Sequence, residues 1–374
     1  MSRWIKLTVL IGFLFGSQFF TGCKKSSNDG SNNNPQTGDA SKLTDRVITD
    51  KLSFPWEILW APNGQLWVTE RGGKISSIDP ATGVILPITT ISEVVSRGEG
   101  GLLGMVLHPQ FDTQPYVYIA YNYDKAGTYT GKIVRYTYMG GMLTKPVTLL
   151  DNISASNIHN GCRLAISPDK KLFITSGDAS VNTRAQDKTN LSGKIMRINL
   201  DGTIPADNPI AGSPVWSYGH RNAQGLVFVA DRLYSSEHGN TTDDEINIIQ
   251  KGRNFGWPNV EGYCNNDSEK SFCNLNNVAE PIQAWTPTIA PSGIDYYDKD
   301  TIPQWKNSLL LAVLKDSELL QIKLNATGTG VEQVNTFYKN KYGRMRDVAI
   351  SPGGKVYIIT SNGNNDKVIE VRGN

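Results

Sequence analysis

Ile158-His159-Asn160-Gly161-Cys162-Arg163-Leu164-Ala165-Ile166-Ser167-Pro168-Asp169, followed by Leu172-Phe173-Ile174-Thr175-Ser176-Gly177-Asp178-Ala179, is the clearest copy of a pattern that recurs along the chain. An apolar strand leads into a Ser-Pro-Asp turn, and a β-rich strand then ends in small residues. A histidine at the mouth of a strand can exchange a proton near neutral pH. Gly161, two residues on, allows a ligand to come close to the backbone. On these residues alone, His159 reads equally well as a loop imidazole bonded to a carbonyl.

Five more segments follow the same loose template. They begin near Ile58 (to Glu70 and Ile75), Gly104 (to Tyr121 and Tyr136), Gln224 (to Ser236 and Ile249), Ser308 (to Ile322) and Asp347 (to Ile359 and Val371). The copy containing His159 closes with Gly193-Lys194-Ile195-Met196-Arg197-Ile198. The copies start roughly 40 to 80 residues apart, with loops filling the longer intervals. Such a period, each unit worth a four-stranded sheet, predicts an all-β, six-bladed β-propeller over residues 44–374. No stretch reads as a long amphipathic helix. In a propeller, loops from every blade converge at one end of the central channel, so residues distant in sequence can line one cleft.

The N-terminus has a different character. Arg3 and Lys6 precede an apolar run, Leu7–Phe20, that is too short to span a bilayer. Thr21-Gly22-Cys23 then resembles a bacterial lipobox, with Cys23 the residue to be lipidated, although Phe20 is a poor match to its usual aliphatic position. An ordinary cleaved signal is the alternative. Residues 1–22 are thus expected to be a signal peptide and 23–43 a flexible tether of Ser, Asn, Gly and Lys. Loss of residues 1–22 removes Arg3 and Lys6 and no acid, taking the formal charge from +2 to about zero. With no basic run, nucleic acid is an unsuitable partner. In an exported chain, Cys264 and Cys273 are close enough to staple one loop. Cys162 is then a spare, half-buried thiol. A Cys162–His159 nucleophile is disfavoured, because three residues along an extended chain place two side chains on opposite faces.

Polar residues recur where blades would meet the channel: Glu99, His159, Asp178, Arg221, Asn222, Gln224, the run Glu237-His238-Gly239-Asn240, Lys315, Arg344 and Arg346. Three arginines and a lysine in one cleft suit a polyanion, because guanidinium forks bind carboxylates in a bidentate way.

From about Thr44 to Asn374 the chain resembles the soluble glucose dehydrogenase and aldose sugar dehydrogenase family, six-bladed propellers that use pyrroloquinoline quinone (PQQ) and calcium. The resemblance rests on Gly-Glu-Gly-Gly-Leu-Leu-Gly at 98–104, His-Asn-Gly-x-Arg-Leu at 159–164 and Gly-Lys-Ile-x-Arg-Ile-Asn-Leu-Asp-Gly at 193–202. It continues through Gly-His-Arg-Asn-x-Gln-Gly at 219–225, Asp-Asp-Glu-Ile-Asn at 243–247, Asn-Phe-Gly-Trp-Pro at 254–258, Ile-Ala-Pro-Ser-Gly at 289–293 and Arg-x-Arg-Asp-Val at 344–348.

The resemblance implies that His159 is the general base for a sugar's anomeric hydroxyl. It places Arg221 and Asn222 beside the quinone oxygens, and Gln224, Lys315, Arg344 and Arg346 on the cofactor's carboxylates. Asp178 and Glu99 are counted with the cofactor contacts, Glu99 also lying near the sugar and Trp285 flanking it. Calcium would sit on the carbonyls of Gly239 and Asn240. Departures are Ile158 in place of an acidic residue, Asn240 for a proline, Cys162 for a glycine, and a short 264–285 region that points to the broad-specificity aldose type. The expected activity is oxidation of aldoses to lactones, with electrons passing to an external cytochrome or quinone. The protein would face the periplasm or cell surface on its lipid anchor. A calcium-dependent sugar lactonase and a non-catalytic binding propeller are the competing readings. The first requires side-chain carboxylates and asparagines around a channel metal, and the second requires loss of His159 or Arg221.

Overall fold

The computed structural model describes residues 34–374, together with Met1. The expected signal segment and Cys23 lie outside the described residues. The chain divides into two units at Ser31/Asn32, and the architecture below is that of the second.

Six antiparallel sheets make up the unit, confirming an all-β, six-bladed propeller. Blade 1 spans residues 55–90, blade 2 residues 102–154, blade 3 residues 164–218, blade 4 residues 223–285 and blade 5 residues 291–337. Blade 6 joins both ends of the chain: three strands within 345–373 take Leu43–Ser53 as their outermost strand. The ring therefore closes through a backbone ladder that opens only if an end of the chain peels away. Gln36–Thr37, inside the expected tether, adds a parallel fifth strand to the outer edge of blade 5, and the Gly38 amide donates to the Thr336 carbonyl at 2.9 Å.

Packing explains why the second strand of each blade is the most legible. Leu66–Glu70, Ser308–Val313 and Val356–Thr360 are buried at every position, because neighbouring blades cover both faces. Such strands read as continuous apolar runs. Outermost strands such as Ile85–Thr90 are largely exposed, and their sequences carry little signal. The fifth copy illustrates the consequence. Its inner strand is Pro291–Tyr297, ahead of the apolar Ser308–Val313 with which the sequence pattern began. The core divides into six clusters, one between each pair of neighbouring blades; Trp67, Met105 and Ile119 join blades 1 and 2, and Leu52, Ile58 and Tyr357 join blades 6 and 1. The one α-helix among the described residues, Asp267–Asn276, starts with an Asn266/Glu269 capping box. Cys264 and Cys273 are joined as a disulfide across its first turns.

Nearer the axis, polar side chains stitch neighbouring blades together. Asp347 accepts from the Ile58 amide at 3.0 Å, Glu57 from Met105 at 3.3 Å and Asp295 from Ile350 at 3.2 Å. Thr175 donates to the Ala223 carbonyl at 2.9 Å. At the centre, one Arg163 nitrogen bonds both Glu57 (2.7 Å) and Asp347 (2.8 Å), so blade 3 is tied across the channel to blades 1 and 6. The guanidinium also lies 4.0 Å from the Trp56 ring and donates to the Gln224 carbonyl at 2.8 Å. Burial alone would depress this guanidinium, but Asp347 and Glu57 hold it above its ordinary value. Burial, with Asp347 adding to it, pushes Glu57 well above the usual carboxylate range despite Arg163. Below the cluster, a hollow of about 350 Å³ opens between inner-strand apolar residues including Leu59, Leu107, Leu226 and Ile350.

Replacing Arg163 with Ala should cost about 3–5 kcal/mol, because it strands two buried carboxyls; thermal unfolding of the variant will read this loss. Asp295 supplies a pH test. Burial raises its carboxyl from 3.8 to about 7. The folded state thus binds this proton more tightly than the unfolded chain, and its contribution is lost as pH rises from about 4 to about 7. Asp295→Asn carries no such proton, so its stability relative to wild type should improve over that window by up to about 4 kcal/mol. Parallel denaturation curves at pH 4 and pH 8 check the sign.

Candidate active site

Loops that lead into the inner strands and loops that join second to third strands share one end of the ring, as the pairings Ala223–Glu237–Glu245 and Leu164–Ile174 require. The segment 158–163 reaches this end as irregular backbone rather than a strand. His159 (φ 61°) and Cys162 (φ 72°) both adopt the left-handed region. A non-glycine residue held there signals a locally strained, over-determined loop. Gly161 belongs to the same device, and its role differs from the one expected. A Cβ on it would lie 2.7 Å from the Gly177 amide, so the absent side chain admits the neighbouring Ser176–Gly177 backbone and not a ligand.

The His159 Nδ1 atom is 2.8 Å from Asp178 Oδ1. With the carboxylate as acceptor, Nδ1 carries the proton and Nε2 presents its lone pair. Asp178 is almost fully buried. Its Oδ1 also accepts the Ser180 amide (2.8 Å) and its Oδ2 accepts Trp257 Nε1 (2.9 Å). Both oxygens are thus engaged within the protein, and Asp178 orients the His159 ring. Glu99 also braces this loop, one oxygen accepting the His159 backbone amide at 3.0 Å. Cys162 is fully buried in the core between blades 2 and 3, where burial pushes its thiol up to about 12. It is neither half-buried nor a nucleophile, and the irregular loop, not a strand pleat, keeps it away from His159.

Arg221 and Asn222 are presented by a buried acid from the run Glu237-His238-Gly239-Asn240. Glu237 accepts both of their backbone amides, and its other oxygen lies 2.9 Å from His220 Nδ1. The Arg221 guanidinium lies 5.3 Å from the Trp257 ring and donates weakly to the His238 carbonyl. Burial lowers its affinity for its proton, against the pull of Asp178 and Glu237. Asn222 accepts the Gly161 amide at 3.2 Å. Gln224 Oε1 receives Arg346 Nη1 at 2.6 Å, and Ser292 Oγ lies 3.2 Å from the same nitrogen. Burial draws Arg346 down to about 9, opposed by Glu99 and reinforced by Arg163, Arg344 and Arg71. His238 is pushed down to about 3 by burial, then by Arg346, Arg221 and His159. Arg221, His238, Gly239 and Trp257 line a small hollow, and Trp257 joins it through Asp178 to His159.

Several donors in this wall have no partner. Arg221 Nε, Asn222 Nδ2 and Arg346 Nε are buried without a hydrogen bond, and so is His238 Nε2. Unsatisfied buried donors of this kind call for an acceptor-rich, anionic guest. Arg344 and Lys315 stand farther out as exposed side chains; Lys315 donates to Thr288 at 2.9 Å. Trp285, paired with Asp244 on the outer strand of blade 4, packs in the core between blades 4 and 5 with Ile289, Ile294 and Val313. Trp257 is a further aromatic at the site, touching Asp178 and Arg221, which the motif Asn-Phe-Gly-Trp-Pro could have flagged.

The loop after Glu237 turns back on itself. A Cβ on Gly239 would lie 1.9 Å from the Thr242 carbonyl oxygen, so only glycine fits there. Asp244 braces this loop, accepting the amides of Gly239 (2.7 Å), Ile289 (2.5 Å) and Ala290 (2.6 Å). Among the described residues, no group of three or more His, Cys, Asp or Glu side chains is arranged to hold a metal.

Comparison with known proteins agrees with this geometry. The family described as Glucose / Sorbosone dehydrogenase matches residues 52–369. Quinoprotein glucose dehydrogenase B of Acinetobacter calcoaceticus is 33% identical over 86% of this chain and 86% of its own length. Aldose sugar dehydrogenase YliI of Escherichia coli is 31% identical over 84% of this chain and 89% of its own. The PQQ-bound aldose sugar dehydrogenase of Streptomyces coelicolor superposes with a TM-score of 0.78 at 34% identity, covering 88% of this chain and 98% of that one. With the match running through all six blades and every loop of the site, the chain belongs to the glucose/sorbosone dehydrogenase family.

Proposed function

We propose that this protein is a PQQ- and calcium-dependent aldose dehydrogenase that oxidises sugars at C1 to lactones. The observation that carries the reading is an oriented imidazole, His159 on Asp178, facing a wall of unpartnered arginine and amide donors. PQQ, when bound, supplies a quinone able to take up the hydride that C1 gives up.

The chain's own residues would do the rest. His159 Nε2 removes the proton of the anomeric hydroxyl, and Asp178 stabilises the imidazolium and keeps the ring aimed. Arg221 and Asn222 offer their free Nε and Nδ2 donors where negative charge builds on reduction. Arg346, held against Gln224 and Ser292, binds a carboxylate, with Lys315 and Arg344 supplying further positive charge at the rim. The backbone carbonyls of Gly239 and Asn240 would hold calcium; a cradle with room for backbone only and an oxygen-only donor set suit that hard cation. Ile158, 44% exposed beside His159, gives the sugar an apolar neighbour and favours broad aldose acceptance. Glu99 keeps one oxygen for the sugar. Electrons then pass to an external cytochrome or quinone. Export with lipidation at Cys23 belongs to the same proposal; among the described residues, no helix is long and apolar enough to cross a membrane.

The test is reconstitution of residues 34–374 with PQQ and calcium, followed by dye reduction with a panel of aldoses. Activity should require both additions and fall on chelation of calcium. His159→Ala should reduce turnover by at least 10²-fold while PQQ binding persists. Arg346→Gln should instead weaken PQQ binding, raising the concentration for half-reconstitution at least tenfold. A His159→Ala enzyme that turns over at the wild-type rate would remove the imidazole from the mechanism.

A further inference from the structure

The groups around His159 leave one residue with no assigned role, although it touches both halves of the site. Trp257 donates its indole N–H to Asp178 Oδ2 at 2.9 Å, and its ring lies 5.3 Å from the guanidinium carbon of Arg221. One side chain therefore meets both the carboxylate that orients the base and the arginine that faces the anionic guest. Its own position is pinned. The Trp257 amide donates to the Gly219 carbonyl at 3.0 Å, and its carbonyl accepts Gln186 Nε2 at 2.6 Å. Gln186 in turn exchanges reciprocal amide bonds of 2.9 and 3.0 Å with Asn254, three residues before the tryptophan.

We propose that Trp257 is the positioning residue of this active site, holding Asp178 so that His159 presents one tautomer in one orientation while its ring face seats Arg221. This inference rests on the proposed dehydrogenase reading. Asp178 takes three hydrogen bonds: the His159 ring and the Ser180 amide on Oδ1, and the indole on Oδ2. The indole is the one contact on Oδ2, so it sets the rotation of the carboxylate about its last bond and thereby the direction of the bond to Nδ1. Around His159 the charged or titratable groups are Asp178 on its ring, Glu99 on its backbone amide, and Arg221 and His238 across the hollow. Of these, the indole contacts Asp178 and Arg221. An oriented base loses rate steeply when its aim drifts, roughly 10²-fold for a displacement near 1 Å.

The variant Trp257→Phe separates the two duties, since it deletes the N–H and keeps a ring for Arg221. It should lower kcat about tenfold to a hundredfold, leave KM for the sugar within about threefold, and change the PQQ concentration for half-reconstitution less than threefold. Because the tryptophan acts through the carboxylate, Trp257→Phe added to Asp178→Asn should cost nothing beyond Asp178→Asn alone. A second readout needs neither cofactor nor turnover. The chain has four histidines, so the ring nitrogens of His159 can be followed by ¹⁵N NMR in the apo protein. Trp257→Phe should shift the His159 signals towards a mixture of tautomers and leave those of His108 in place. In wild type the Trp257 indole proton should be protected from exchange, and Asp178→Ala should release it, which answers the question even if Trp257→Phe folds poorly. Additive losses in the double variant, or His159 signals and indole protection that ignore these changes, overturn the proposal. Failure of the wild-type protein to oxidise any aldose, with the NMR results as expected, would instead strike the dehydrogenase reading alone.

Discussion

The guanidinium of Arg163 is the contact on which the rest of the ring depends. A propeller has no central core; its middle is a channel where six inner strands approach without a backbone ladder between them. Apolar clusters hold neighbouring blades side by side, but nothing apolar spans the axis. Arg163 crosses it, binding Glu57 and Asp347 with one nitrogen and the blade 4 carbonyl of Gln224 with another. A buried ion cluster is a weak source of net stability, because desolvation offsets most of the attraction. Its value here is geometric. The distance between four blades is set by a rigid planar fork, and Gln224, whose carbonyl binds Arg163, carries the contact on to Arg346 through its side chain.

That arrangement explains why the catalytic end can be built from strained loops. His159 and Cys162 occupy the left-handed region, and Asp178, Glu237 and Asp244 each accept two or more bonds from the loops around them. In every case a buried carboxylate gathers backbone amides or ring N–H groups from segments far apart in sequence. The acids at this site mostly hold loops in place, while the arginines and amides keep donors free. This division follows from charge: an anionic guest is repelled by free carboxylates and drawn by unsatisfied donors.

The hollow at the opposite end has a different chemistry. It is lined by inner-strand apolar side chains together with Glu57, Arg163, Asp295 and Asp347. The site is identified by convergent donors and an oriented imidazole, not by volume.

Much of the architecture was legible in the chain because blade stacking writes itself into sequence. Strands covered on both faces must be apolar throughout, and the turns between them need Gly, Pro, Asn and Asp, so the six repeats and the motifs at their strand ends stood out. His159, Arg221, Asn222, Gln224 and Arg346 stood out because proton-transfer and anion-binding side chains recur there at strand ends. What the sequence left open was partnership. Outer strands such as Leu43–Ser53 are half exposed and carry no periodic mark, so the closure of blade 6 by the N-terminal strand was invisible. Trp285 and Trp257 are alike as residues; only the ring places one in a blade interface and the other against Asp178. Asp178 and Glu99 looked like groups for a ligand, and the fold also gives one oxygen of each to His159. Local sequence dictates which residues can do chemistry, through their side chains and the strands they end. Which of them meet is decided by a ring whose contacts join positions up to hundreds of residues apart, and no local pattern encodes that distance.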